Sequence, residues 1–179
     1  MEKEQLFKSE KMTEGVFEFD TRVGKIDYLN TYYLFIPADI VKTIGGVSGK
    51  RFVCLVNEKI NYQSGLVALG DGEAYICIST KRMKEAGCAL GDIVRLKLTP
   101  DKSEFGLDVP EELQEVFNQD PEGEERFRKL TPGKQRYIIY YVSGVKNPQL
   151  RVDRALLLIG NLKKLPVGKE EFKAMLGKA

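Results

Sequence analysis

Histidine is missing from all 179 residues of this chain. Its absence removes Ser-His-Asp and Cys-His arrangements, the imidazole general base and every metal site that needs a His ligand. Cysteine is scarce: Cys54, Cys77 and Cys88 are odd in number and show no C-x-x-C spacing, so neither a zinc knuckle nor a disulfide framework is indicated. Cys54 and Cys77 fall in apolar strands and read as small buried hydrophobes in a reducing compartment, whereas Cys88, beside Gly87, reads as the exposed one. There is no apolar run of membrane-spanning length. Met1 to Lys11 is charged and polar without an apolar stretch, unlike a signal or transit peptide, so the expectation is a cytoplasmic protein. G-x-S-x-G, Walker A, G-x-G-x-x-G and metal-ligand spacings are absent too, so no cofactor and no catalytic function is expected.

What the chain does contain is a stretch written twice. Tyr33 to Leu55 aligns without a gap on Tyr75 to Lys97 at an offset of 42, keeping Tyr33/Tyr75, Ile36/Ile78, Lys42/Lys84, Gly45/Gly87 and Gly49/Gly91 in register. Each copy reads as an apolar strand, a short helical turn closed by Gly, a second Gly turn and another strand, which predicts one barrel built from two interlocked halves. Before the first copy, Gly15 to Arg22 sets Phe17 and Phe19 against Val16, Glu18 and Asp20, the period-two signature of a half-buried strand. Tyr32 to Ile36 is denser and predicts burial on both faces. Pro37 ends that strand and opens the turn carrying Ile40, Val41 and Ile44; Met83 and Ala86 take the equivalent places after Ser79 or Thr80. Strands are predicted at Arg51 to Val56, Ile60 to Leu69, Glu73 to Ser79 and Ile93 to Leu98, and Ile40, Val41, Ile44, Val53, Ile76, Ile78, Met83, Val94 and Leu96 as core. The barrel should close in a monomer over residues 12–108.

The remainder, 109–179, predicts helices. Glu111 to Gln119 has an acidic first turn, Thr131-Pro132 and Asn147-Pro148 are N-cap signals, and Glu170 to Leu176 suits a last helix. Charge divides along the same line: residues 1–123 hold 15 Lys/Arg against 21 Asp/Glu, a net of −6, and residues 124–179 hold 13 against 5, a net of +8. An acidic connector from Pro110 to Gly123 separates the two. A tight Ser143-Gly144 turn between two helices would bring Arg136, Lys146, Arg151 and Arg154 together as a candidate anion site. Its ligand would be carboxylates of the barrel or connector, or a phosphate-bearing partner; otherwise these are solvated helix-face charges.

Leu130-Thr131-Pro132, Arg136, Tyr140-Tyr141, Ser143-Gly144-Val145-Lys146 and the pair Arg151 and Arg154 resemble the YdeI/OmpD-associated (bacteriocin-protection) module. Val145 and Leu150 stand where that pattern has a small residue and a Thr. Phe17 and Phe19, Ile36-Pro37, the Arg51 strand ending at Asn57, and Gly91-Asp92-Ile93-Val94 resemble the bacterial domain of unknown function that precedes it. The resemblance implies a double-split β-barrel, the class that includes AbrB-like and MazE-like transcription factors, with a helical appendage. It also implies a stress or bacteriocin-protection role. Three function classes follow: a protective protein binding an anionic partner through its basic tail, a nucleic-acid-binding protein in which Tyr137, Tyr140 or Tyr141 stacks bases, and an enzyme using Asp101, Glu104 and Asp108. The first is preferred.

Overall fold

The computed structural model describes residues 15–178. The chain divides into two compact units, the first ending at Lys102 and the second beginning at Ser103.

In the first unit, β1 (Phe17–Ile26), β2 (Thr31–Ile36), α1 (Ala38–Ile44), β3 (Arg51–Val56), β4 (Ile60–Gly65), β5 (Val67–Gly70), β6 (Glu73–Ile78), α2 (Thr80–Ala86) and β7 (Ile93–Pro100) follow in order. The strands form one antiparallel sheet ordered β4-β3-β7-β1-β2-β6-β5. β4 and β5 are its two edges, yet only Leu66 lies between them in the chain. Consecutive Cα atoms are about 3.8 Å apart, so the edges must come round to meet and the sheet is curled into a barrel-like shape.

The two written copies pair with each other. β2 and β6 are neighbours with Tyr33 opposite Cys77, and β3 and β7 are neighbours with Cys54 opposite Leu98. The bounds of β2 and β6, and of α1 and α2, differ by the offset of 42 seen in the sequence. Both helices stop at a glycine in the left-handed region, Gly45 at φ 84° and Gly87 at φ 69°, a conformation that would strain any residue with a Cβ. The remaining strands flank these pairs. β1 pairs with β7 through its first half and β2 through its second, while β4 takes β3 and β5 takes β6. Ser79 caps α2 by accepting from the Arg82 N–H at 3.3 Å.

Alternation decides the core. Phe17, Phe19, Leu34, Ile36, Phe52, Cys54, Val56, Ile76, Ile78, Val94, Leu96 and Leu98 point inward, joined by Ile40, Val41, Ile44, Met83 and Ala86 from the helices. Two expectations are corrected by this alternation. Val53 is half-buried rather than core, because Phe52 and Cys54 take the inward positions of β3; Cys77 is exposed, because Ile76 and Ile78 take those of β6. Cys88 is partly covered. β2 is not buried on both faces: Leu34 and Ile36 are inside while its other residues are half-covered.

The second unit is helical: α3 (Glu111–Gln119), α4 (Pro121–Arg128), α5 (Pro132–Ser143), α6 (Pro148–Lys164) and α7 (Phe172–Met175). Its core joins Leu113, Val116, Phe117, Phe127, Leu130, Ile138, Ile139, Val142, Ala155, Leu158, Ile159, Leu162 and Met175. Most of the connector proves to be helical, since α4 follows α3 after a single residue, Asp120.

Candidate functional site

Arg136, Lys146, Arg151 and Arg154 are all carried by the α5–α6 hairpin, whose ends are fixed by local chemistry. α5 opens at Thr131-Pro132, where the proline lacks only an N–H that a first turn leaves unused. Gln135, buried, donates from Nε2 to the carbonyls of Phe127 and Arg128, both at 3.2 Å, and ties α5 to the end of α4. After Gly144 the chain turns, and Asn147 Oδ1 caps α6 by accepting from the N–H groups of Gln149 and Leu150 at 2.9 and 3.3 Å.

Arg151 and Arg154 reach back from α6 into that turn. Arg151 Nε donates to the Val145 carbonyl at 2.8 Å, and its Nη1 lies 3.4 Å from Glu112 Oε1 on α3. Arg154 Nη1 donates to the Tyr141 carbonyl at 2.7 Å while its guanidinium lies 4.3 Å from the centre of the Tyr141 ring. The last turn of a helix has carbonyls without intrahelical donors and carries the negative end of the helix dipole. Arg154 supplies a cation and a donor at that end of α5. Arg151 does the same for the following loop and draws in a carboxylate of the connector.

The other two residues are placed differently. Lys146 lies exposed in the loop, and no ion pair to it is found among the described residues. Arg136 is half-buried on α5 and engaged in an interaction of its own; it precedes Tyr140, an aromatic that is 70% exposed, by one turn. Tyr137 and Tyr141 stack on each other with centroids 6.2 Å apart, and Tyr137 also packs on Phe172 at 3.7 Å.

Much of the positive charge of the helical unit is matched within it. Arg126 and Lys134 pair with Glu170, Arg128 with Glu104 and Glu124, Lys129 with Glu125, and Lys163 with Asp120 and Glu122. Glu112, Asp120 and Glu170 are thus site-shaping residues that sequence reasoning passed over. The acidic connector signalled the first two, but the partner of each could be named only from the fold.

The carboxylates considered for catalysis do different work. Asp101 lies 3.7 Å from Arg51 and 3.5 Å from Gln63 in the first unit, and Glu104 pairs with Arg128 in the second. Among the described residues no group of three or more His, Cys, Asp or Glu side chains could hold a metal ion, and no helix is long and apolar enough to cross a membrane. Burial pushes the Cys54 thiol up to about 12, so it stays protonated and inert.

Neither the curated proteins nor the solved structures include a match to this chain. Residues 106–164 do match a family, the one described as Bacteriocin-protection, YdeI or OmpD-Associated. That span takes in α3, α4, α5 and α6 and ends on the last residue of α6, so it is the helical unit of this chain that carries the match to the bacteriocin-protection, YdeI or OmpD-associated family.

Proposed function

We propose that this chain is a non-enzymatic binding protein with a protective role against bacteriocins, in which the helical unit holds an anionic partner. The observation that carries the protective role is the family match across α3 to α6. The first unit serves as a double-split β-barrel of the AbrB-like and MazE-like class, its halves descended from one repeated segment. The offset of 42 between paired elements and the one-residue link at Leu66 between the two edge strands support that reading.

For the anionic partner, the hairpin cations divide by what already holds them. Arg151 and Arg154 are spent on the Val145 and Tyr141 carbonyls and on Glu112, so their role is to shape the turn. Lys146 presents its ammonium to solvent from the loop between α5 and α6, whereas Arg136 already takes part in an interaction of its own. Lys146 would supply the attraction, a charge term that weakens as salt rises. The expected outcome is that Lys146→Gln lowers bacteriocin tolerance in expressing cells at an unchanged melting temperature. Arg151→Gln with Arg154→Gln should instead lower the melting temperature. Tolerance unaltered by Lys146→Gln would sink the anionic-partner reading.

Exposed Tyr140, one turn from Arg136, favours a second reading in which the anion is single-stranded nucleic acid and the ring stacks on a base. Retardation of a single-stranded oligonucleotide at low salt, lost in Tyr140→Ala, is its expected signature.

A further inference from the structure

The helical unit also carries a surface of the opposite electrical sign. α3 and α6 leave between them an open groove of about 330 Å³, lined by Glu111, Glu112, Glu115, Val116, Val152 and Leu156. Its floor is apolar. Val152 is half-buried, and Leu156, one turn further along α6, is 56% exposed, a large apolar side chain turned to water rather than into the core. The carboxylates stand along the α3 side on successive turns. Glu115 is fixed in place by Gln119 Nε2 at 2.6 Å and Asn118 Nδ2 at 3.2 Å, bonds that favour its ionised form and hold it below the usual carboxylate range. Glu112 meets Arg151 through Oε1 alone, and its Oε2 is buried without a hydrogen-bond partner. Against three carboxylates the groove residues meet one guanidinium, so a negative field remains over an apolar floor.

A helix lying in such a groove would bury its apolar stripe on Val152 and Leu156 and set flanking cations against the rim. α3, nine residues long, spans about 13 Å, enough for two to three turns of a docked helix. Solvent-exposed lone carboxylates would attract any cation weakly. An apolar floor beside them selects a ligand that is apolar and cationic at once.

We propose that the α3–α6 groove is a docking site for a cationic amphipathic helical peptide. This site is distinct from the hairpin turn assigned to the anionic partner, and the variants separate the two. The probe is a labelled Leu/Lys peptide of about 14 residues with its leucines on one helical face, compared with a scrambled peptide of the same composition that has no apolar face. Titrated against the full chain and followed by anisotropy, the amphipathic peptide should bind at least about tenfold more tightly than the scrambled one. Glu111→Gln with Glu115→Gln, and separately Leu156→Asp, should each weaken binding by about tenfold, with far-ultraviolet circular dichroism unchanged. Lys146→Gln should leave it unaltered. Equal binding of the two peptides, or an affinity that survives both groove variants within about twofold, overturns the proposal. So does concentration-dependent self-association abolished by Leu156→Asp, because the occupant would then be a second copy of this chain.

Discussion

Glu170 is a carboxylate drawn almost wholly out of water, and its environment explains why it is tolerated there. Both of its oxygens accept from the Gly168 N–H, at 3.0 and 3.1 Å, while Arg126 Nη2 and Lys134 Nζ lie 3.5 and 3.6 Å away. Its own backbone N–H and that of Gly168 hold its carboxyl below the usual range, with Lys134 and Arg126 helping and burial opposing. A carboxyl depressed in the folded state adds stability above its unfolded value, about 4.3, and loses it as pH falls through the folded one. The residue lies beyond the family-matched span, yet Arg126 also donates to the Leu162 and Leu165 carbonyls at 3.1 and 2.7 Å. Glu170 thus fastens the C-terminal turn to α4 and α5. Glu170→Gln should cost about 1–3 kcal/mol near neutral pH, because two partly buried cations lose their counterion. Urea denaturation repeated towards about pH 3 should show the gap between the two proteins closing. A gap independent of pH would mean that the Glu170 charge contributes nothing to stability.

At the scale of the element, α4 shows where sequence reading stops. The sequence marks the starts of α5 and α6 by Thr131-Pro132 and Asn147-Pro148, and the structure opens both helices there. Asp120-Pro121 is the same signal. Asp120 Oδ1 accepts from the Gly123 N–H at 3.0 Å, and Asp120 also meets Lys163 at 2.7 Å. It was masked by Gly123 and the acidic run, which together resemble a linker, since glycine inside a helix costs about 1 kcal/mol relative to alanine. The use of that glycine lies in packing. A Cβ at Gly123 would press into Ile159 Cγ2 on α6 more closely than real Cβ atoms approach. Gly123→Ala, ordinarily a favourable change in a helix, should therefore destabilise by about 1–3 kcal/mol through overpacking. Gly123→Ala with Ile159→Leu, which removes the Cγ2 methyl, should recover part of that loss, as measured by thermal melting; a stabilised single variant would show that α4 and α6 have room to spare. In the first unit, the glycine stops and most core positions were legible because they depend on local backbone and periodicity. Val53 and Cys77 were not: one-residue alternation decides their face, and a dense apolar strand hides it. The pairing of Arg151 with Glu112 spans 39 positions, a distance over which sequence spacing carries no geometric information.

For the whole molecule, the two hydrophobic cores share no residue. The buried members of one run from Phe17 to Leu98, and those of the other from Leu113 to Met175. Each therefore has its own source of stability, dominated by apolar side chains that contribute about 1.5–3 kcal/mol apiece when fully buried. The first unit links its two sheet edges through Leu66, and the helical unit pairs Arg126, Arg128, Lys129, Lys134, Arg151 and Lys163 with its own carboxylates, including Glu112, Asp120 and Glu170. A unit with its own apolar core and its own ion pairs meets the conditions for folding alone. The fragment 103–179 should accordingly give a helical far-ultraviolet spectrum and a cooperative melt without the barrel, though a domain of this size has a small margin. Gly123→Ala supplies the sharper test, since it acts within the α4–α6 contact. It should lower the stability of the fragment and of the helical transition in the full chain by equal amounts, within about 0.5 kcal/mol. A fragment that melts without cooperativity, or a Gly123→Ala cost that differs between the two contexts by more than that, would mean that the helical unit draws its stability from the rest of the chain.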